Sequence, residues 1–405
     1  MHGATYTGLG RTDPAWLDEF LGLSFPMKMD DAGAAFLERR LLTTGVFSSA
    51  KVSIQTNETL KVEVTEKWTM IPVIRGAYGG GTPLRVLGLY DTHAFGRLLT
   101  LGAESRKYGD APPGFVAYAK APRFAADRYT LGAEAWRDFR RRTVYGRDGT
   151  ALGVSSMSDT LGRFRLLRST LPGNPVKWGV NLEGLQESRP SFAAAAGRTE
   201  TSADAGLPTA EAPSRQIAVL PSMQYDDVLA DTFVFDGTRV VARAGAVESE
   251  RRVYGKGEVE AFTFIVLPYQ IDLAAHAVLG SSALDTIYNQ YFLGGLDSIR
   301  GFPDGVVHGT HAAWANGEVR YTPEGLRFPY LNIQTLAFLD GGGAGATFRD
   351  VSSDAHASAG GGLRFSVPQI YRMMLRFDYA VAIDGSGKRG LAAGFNQFFD
   401  PYKPL

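Results

Sequence analysis

The chain has 405 residues, and its 42 basic and 42 acidic side chains give a formal net charge of zero. A nucleic-acid-binding domain carries a basic excess, and none is present. There is no cysteine, which excludes a disulfide scaffold and cysteine-ligated zinc and suits a chain that crosses an oxidising compartment.

Met1-His2-Gly3-Ala4 lacks the basic start and apolar stretch of a secretory signal, so the sequence is expected to be a mature form. Residues 3–67 then read as a small α/β module. Asp13-Pro14 opens a helix with an acidic N-cap and proline at the first helical position. Trp16, Leu17, Phe20 and Leu21 follow on one apolar face. A second helix starts near Asp30 and Asp31, carries Ala35, Phe36, Leu37 and Leu41 or Leu42, and stops at Gly45. Two alternating runs, 50–54 and 60–64, are joined by a turn at Asn57-Glu58 and predict a hairpin.

From Trp68 onward, strand-like alternation and turn residues take over. Glycine is frequent at 48 and aromatics make up 11% of the chain, a composition rich in turns and strands. No stretch approaches the roughly 18–20 apolar residues of a membrane helix; the longest candidate, 261–268, is far too short. In the first half, turns are expected near 91–96 and 123–127, and between 153 and 176 no clear strand emerges. The second half gives strands at 239–249, 258–267, 272–280, 311–323, 331–341, 356–367, 371–383 and 389–399. Residues 188–215, rich in Ala, Ser, Thr, Gly and Pro, form a low-complexity insertion expected to be weakly ordered. A soluble propeller would use the same strands, but the roughly 40–50-residue repeat it requires is missing.

Three segments then carry the most information. Tyr291–Phe302 contains Ile299-Arg300-Gly301-Phe302, followed by Asn316-Gly-Glu318-Val-Arg320-Tyr321 and by Phe338-Leu-Asp340-Gly-Gly342. A lone Arg-Gly-Phe is common in surface loops; the specificity lies in three motifs in order, at spacings that fit consecutive strands. Together they resemble the signature of the BamA/TpsB superfamily of bacterial outer-membrane barrels, in a surface-antigen-type form with a single POTRA domain. The module's order of strand, helix, helix, strand, strand, and the junction Leu41-Leu-Thr-Thr-Gly45-Val-Phe47, resemble that domain.

The resemblance implies a mainly β fold: a 16-stranded antiparallel transmembrane β-barrel over 68–405, preceded by one small α/β POTRA-like domain over 1–67. In the family the sixth surface loop, here 281–310, folds into the lumen and its arginine grips acidic residues of strands twelve and thirteen. Carried over, Arg300 pairs with Glu318 and Asp340, Ile299, Gly301 and Phe302 complete the loop tip, and Phe338 and Gly342 support the motif. A guanidinium has the fork geometry to hold two carboxylates at once. A lateral seam is expected between the first strand (69–78: Thr69, Ile71, Val73) and the last (389–399: Phe395, Phe398, Phe399). Relatives usually end on an aromatic residue. Here 400–405 follow Phe398-Phe399, and this tail is expected either to tuck into the lumen or to cap the seam.

Functionally the resemblance implies a Gram-negative outer-membrane protein with its POTRA domain in the periplasm. It would assist insertion or translocation of unfolded outer-membrane or secreted polypeptides, amid membrane lipid and lipopolysaccharide, with self-association an option. A sheet edge in the POTRA domain would add a strand from such a client. The alternative is a pore or anchoring barrel without client handling. Catalysis is not expected: no Gly-x-Ser-x-Gly elbow occurs, and His356-Ala-Ser358-Ala-Gly360 has histidine in place of the first glycine. No cofactor is expected, and His308 and His311 lack a helix or carboxylates to make a metal site. Glycine clusters 79–81, 341–343 and 360–362 do not lead strands into helices, as phosphate loops do; they suit bends and close packing. Arg137–Arg142, with four arginines, is expected at the outer end of the fifth strand, facing lipopolysaccharide or solvent.

Overall fold

A computed structural model of the protein describes residues 1–399 apart from 57, 80, 81, 147, 148, 172, 189, 190, 209–213, 232, 233, 296, 371–373 and 396. The chain begins with β1 (Gly3–Thr7), α1 (Pro14–Leu21), α2 (Asp31–Thr43), β2 (Phe47–Ile54) and β3 (Thr59–Glu66). The three strands form one sheet in the order β1-β3-β2, with β1 parallel to β3. Asp13 caps α1 by accepting from the Ala15 N–H, and Gly22 ends it in the left-handed conformation. Trp16, Leu17, Phe20, Leu37, Leu41, Leu60 and Val62 bury the helices against the sheet. On α2 the inward set is Ala34, Leu37 and Leu41; Phe36, expected in the core, is 54% exposed because it lies off that face. The expected hairpin turn at Asn57 lies partly outside the described residues.

The barrel strands are β4 (Met70–Gly79), β5 (Thr82–Ala94), β6 (Leu99–Tyr108), β7 (Gly114–Arg123), β8 (Tyr129–Tyr145), β9 (Ala151–Arg168), β10 (Val176–Glu187) and β11 (Ser214–Asp226). They continue with β12 (Val234–Ser249), β13 (Arg252–Leu267), β14 (Ile271–Ser282), β15 (His311–Tyr321), β16 (Leu331–Gly345), β17 (His356–Ser366), β18 (Met374–Ala382) and β19 (Arg389–Phe395). These sixteen strands run antiparallel to their neighbours and close through β19 and β4, with short pieces at Ser191–Ala194, Leu229–Asp231 and Arg327–Phe328 extending the rims. Each strand expected in the second half overlaps one of β12–β19, although residues 371–373 lie outside the described set.

The faces are inverted relative to a water-soluble barrel. Along β11, Gln216, Ser222 and Gln224 are buried toward the lumen, whereas Ile217, Val219 and Met223 stand exposed outside. Side chains alternate faces along a strand, so an apolar outer band with a polar interior is what hydrocarbon surroundings select. No helix is long and apolar enough to cross a membrane, which says nothing of strands.

Three expectations are corrected. Strand β9 occupies the stretch with no clear strand; its inward Ser155 and Asp159 alternate with Ser156, Ser158 and Thr160, so both faces are polar and the period-two signal vanishes. The arginine run of β8 splits by alternation: Arg137 and Arg141 are exposed, whereas Arg140 turns inward to Asp138 at 3.1 Å. In the low-complexity insertion, Ser191–Ala194 pairs with β9 and Ala205 and Leu207 pack against Val144, Met157 and Ile287. Its few apolar residues seat the described part of this loop on the barrel mouth.

The α/β unit is joined to one end of the barrel by more than its linker. Arg11 donates to Thr69 (2.8 Å) and Asp91 (2.5 Å), Thr12 pairs with His93 (2.9 Å), and Glu66 accepts from the Arg11 and Thr12 backbones. Leu98, from the turn after β5, inserts into the unit's own core, and Arg123 reaches Thr43 at 3.0 Å. Leu98→Asp buries an unpaired carboxylate there, which costs several kcal/mol. We expect the unit to detach from the rim while the barrel stays closed. Limited proteolysis then cuts around residues 67–69 faster in the variant; unchanged cleavage contradicts the docked arrangement.

Candidate functional site: a loop and a tail inside the lumen

Between β14 and β15 the chain turns back into the barrel. Residues Tyr291–Leu293 and Val307–Gly309 pair as a small hairpin, and its tip carries Arg300. Leu293, Ile299, Phe302 and Val306 pack with Ala312 and Ala344, so the tip has an apolar core of its own against β15 and β16. Gly301 adopts φ +89°, and a Cβ there would stand 2.9 Å from the Cβ of Ala380, so only glycine fits both constraints.

Arg300 is 0% exposed. Its Nε and Nη2 donate to Asp340 Oδ2 (2.7 Å) and Oδ1 (2.8 Å), and its Nη1 donates to Glu318 Oε1 at 2.6 Å. The Arg300 backbone N–H adds a bond to Asp340 Oδ2 at 3.1 Å, and Asn316 Nδ2 adds one to Oδ1 at 2.9 Å. Four donors thus fill the acceptor capacity of one carboxylate. Asn316 also donates to the Ser298 carbonyl at 2.6 Å, tying the loop backbone to the same wall. The guanidinium carbon lies 3.5 Å from the centre of the Phe338 ring. Phe338 in turn needs Gly360 behind it, where a Cβ would stand 2.5 Å from the ring. Gly342 sits farther along β16 against Trp314.

The cluster is wider than the motifs foretell. Arg320 donates to Glu318 Oε2 at 2.8 Å, Arg364 to Asp378 Oδ1 at 2.6 Å, and Arg364 stands 3.5 Å from Glu318. Arg300 also lies 3.6 Å from Asp378, and Arg376 lies 3.9 Å from it. Among the described ion pairs, four arginines (300, 320, 364, 376) face three carboxylates (318, 340, 378). Removing one partner of such a buried set costs about 3–5 kcal/mol, because it strands the other charge. Arg320 lies within the second motif, whereas Arg364, Arg376 and Asp378 lie outside all three. Their signal is period two: each lies on a strand whose alternate positions (Val319, Leu363, Phe377) are exposed apolar residues.

The seam residues are dispersed. Ile71 and Val73 turn inward on β4, but Thr69 lies before the strand and bonds Arg11 and Asp91, so it belongs to the docking joint. Among the described residues the register between β19 and β4 is a single pair, Ala393↔Tyr78, whereas β18 and β19 pair from Leu375↔Phe395 to Val381↔Arg389. Strand β19 ends at Phe395, so Phe398 and Phe399 are not seam residues.

The chain leaves the wall there and crosses the inner faces of β18 to β15. Gln397 accepts from Arg364 at 3.2 Å and donates to Gln334 at 3.2 Å. The Phe398 ring lies 4.1 Å from the Arg300 guanidinium and 4.7 Å from that of Arg376. Phe399 stacks on His276 at 5.4 Å, with Arg320 at 5.2 Å, and both rings join Val228, Phe235, Phe262, Phe264 and Ala274 in one apolar cluster. Burying a phenylalanine stabilises by roughly 1.5–3 kcal/mol, enough to hold a three-residue segment without a strand. Residues 400–405 lie outside the described set.

His308 and His311 do not converge: His308 stacks on Phe292 and His311 lies edge-on to Phe348. Among the described residues no group of three ligating side chains assembles for a metal.

No protein-family model and no curated protein matches the sequence. Solved structures do match the fold. CdiB from Acinetobacter baumannii superposes with a TM-score of 0.60 at 11% identity, covering 98% of this chain and 73% of that one. BamA from Haemophilus ducreyi lacking POTRA domains 1–3 gives 0.54 at 15% identity, covering 97% and 83%. CdiB from Escherichia coli gives 0.52 at 11% identity, covering 97% and 89%. At these identities the likeness is one of fold: a closed 16-stranded barrel like those of BamA and CdiB.

Proposed function

We propose that this chain is a bacterial outer-membrane barrel, residues 68–405, that assists the insertion or translocation of polypeptide clients. Its α/β unit, residues 1–67, is read as a single POTRA domain on the periplasmic side, and the apolar outer band as the surface that meets lipid. One observation carries this reading: a loop returned into the lumen and held by Arg300 across Glu318 and Asp340, beside a seam with a single described pair. A plugged lumen beside the joint of the first and last strands suits passage of a polypeptide at the seam, since a strand edge opened there would add strands from other chains. The open-pore alternative is disfavoured by the loop and tail that occupy the lumen. No catalytic step is part of this reading.

The test is a reversible staple. Tyr78 and Ala393 are register partners, and the roughly 4.5–5.5 Å between opposed Cα atoms of antiparallel strands lies within disulfide range. In Tyr78→Cys/Ala393→Cys the oxidised seam is expected to abolish client insertion or secretion, and reductant to restore it. Full client handling by the stapled protein contradicts the proposal.

A further inference from the structure

We propose that the recess holding Phe398 and Phe399 is a binding site for paired aromatic side chains, filled in cis by the tail and available in trans to an extended polypeptide entering from the α/β-unit end. This rests on the client-handling reading and gives it a recognition chemistry.

The walls of the recess come from residues outside the tail. Each ring is faced by guanidinium: Arg300 and Arg376 around Phe398, and Arg320 beside Phe399. Behind them the wall is aromatic, with Phe264 6.3 Å from Phe399 and 5.1 Å from Phe235, and Phe262 stacked at 4.6 Å on His276. His276 is itself fixed by Asn316 (3.0 Å) and Glu260 (3.1 Å). One residue upstream, Arg364 and Gln334 offer a donor and an acceptor to the amide of Gln397. The arginine faces favour aromatic rings and disfavour a basic flank. A segment of the form amide–aromatic–aromatic satisfies every one of these contacts.

Position and attachment favour exchange. Phe235 lies near the start of β12, Phe264 near the end of β13 and Ala274 near the start of β14, which places the recess just inside the rim that carries the α/β unit. A polypeptide entering from that side meets it early. Residues Gln397, Phe398 and Phe399 belong to no strand and are held through side chains, so the tail can be released without unzipping a ladder. Once vacated, the recess presents an aromatic floor and guanidinium faces to water, which a second segment of the same chemistry would cover.

The cis tail acts as a resident competitor, so apparent affinity for a peptide is scaled by the fraction of sites left vacant. Fluorescent peptides containing Gln-Phe-Phe or Gln-Ala-Ala are titrated into the full chain in detergent. Phe398→Ala/Phe399→Ala is expected to bind the Phe-Phe peptide at least about tenfold more tightly than the unmodified chain, the gain set by the vacated fraction, with the Ala-Ala peptide binding to neither. Equal binding of both peptides, or none by a variant that keeps native heat-modifiable mobility, overturns the proposal. If that variant does not fold, a benzophenone amino acid at Phe235 in the otherwise unmodified chain replaces it. Capture of excess Phe-Phe peptide with loss of the tail cross-link supports the site; equal capture of both peptides, or none, refutes it. Neither readout uses client transport, and the seam staple uses no peptide, so failure of one reading leaves the other separately decided.

Discussion

Arg300→Ala releases the sixth loop from the lumen while the barrel stays closed. The variant loses the Nε and Nη2 bonds to Asp340 and the Nη1 bond to Glu318, at 2.7, 2.8 and 2.6 Å. The two carboxylates do not suffer equally. Glu318 keeps Arg320 at 2.7 Å and Arg364 at 3.5 Å, so it stays neutralised. Among the described residues Asp340 keeps Asn316 and the backbone N–H of residue 300, and the latter departs with the loop. The stranded charge is therefore Asp340. At about 3–5 kcal/mol for breaking a buried ion set, the loop-in state loses from about a hundredfold to several thousandfold in population. Protease cleavage within residues 283–310 should accelerate, and planar-bilayer conductance should rise from low and flickering to sustained. Arg300→Lys keeps the charge but not the fork, so it falls between the two. Unchanged cleavage and conductance in Arg300→Ala would remove the lock from the account.

Much of this architecture is legible in the sequence, and the parts that are not have physical reasons. Strand β14 is readable because Ile271, Leu273 and Leu279 outside alternate with Asp272, Ala274, His276 and Gly280 inside. The Arg300, Glu318 and Asp340 positions are readable because a motif fixes residue types at set spacings. Strand β9 is not readable: with serine and threonine on both faces, alternation has no contrast. Arg364 and Asp378 are cross-strand neighbours of the lock, but nothing local distinguishes them from other charged lumen residues; only register brings them to Arg300. Phe398 and Phe399 continue the apparent strand pattern past Phe395, so periodicity extends β19 too far. Past the strand the contacts are tertiary: Phe398 and Phe399 lie against arginines across the lumen.

That placement makes the tail and the loop one mechanical unit, since Phe398 touches Arg300 itself and Gln397 touches Arg364. Strand β19 has a full ladder to β18 on one side and a single described pair to β4 on the other. Its far end runs into the tail, whose side chains bind Arg364 and Arg300. Phe398→Ala removes a buried ring, a change that costs about 3–5 kcal/mol, and part of that loss should appear at the seam. With cysteines at 78 and 393, disulfide formation in the Phe398→Ala background should slow, because the strands spend less time in register. The loop should loosen as well, since the Arg300 guanidinium loses one of its two aromatic faces and keeps only Phe338. A double-mutant cycle with Arg300→Ala decides whether these are two effects or one. A shared unit gives a coupling of about 0.5–3 kcal/mol, the double variant being less impaired than the sum of the singles. Strict additivity, or a seam cross-linking rate indifferent to Phe398, would mean that the tail fills space in the lumen without holding the last strand in place.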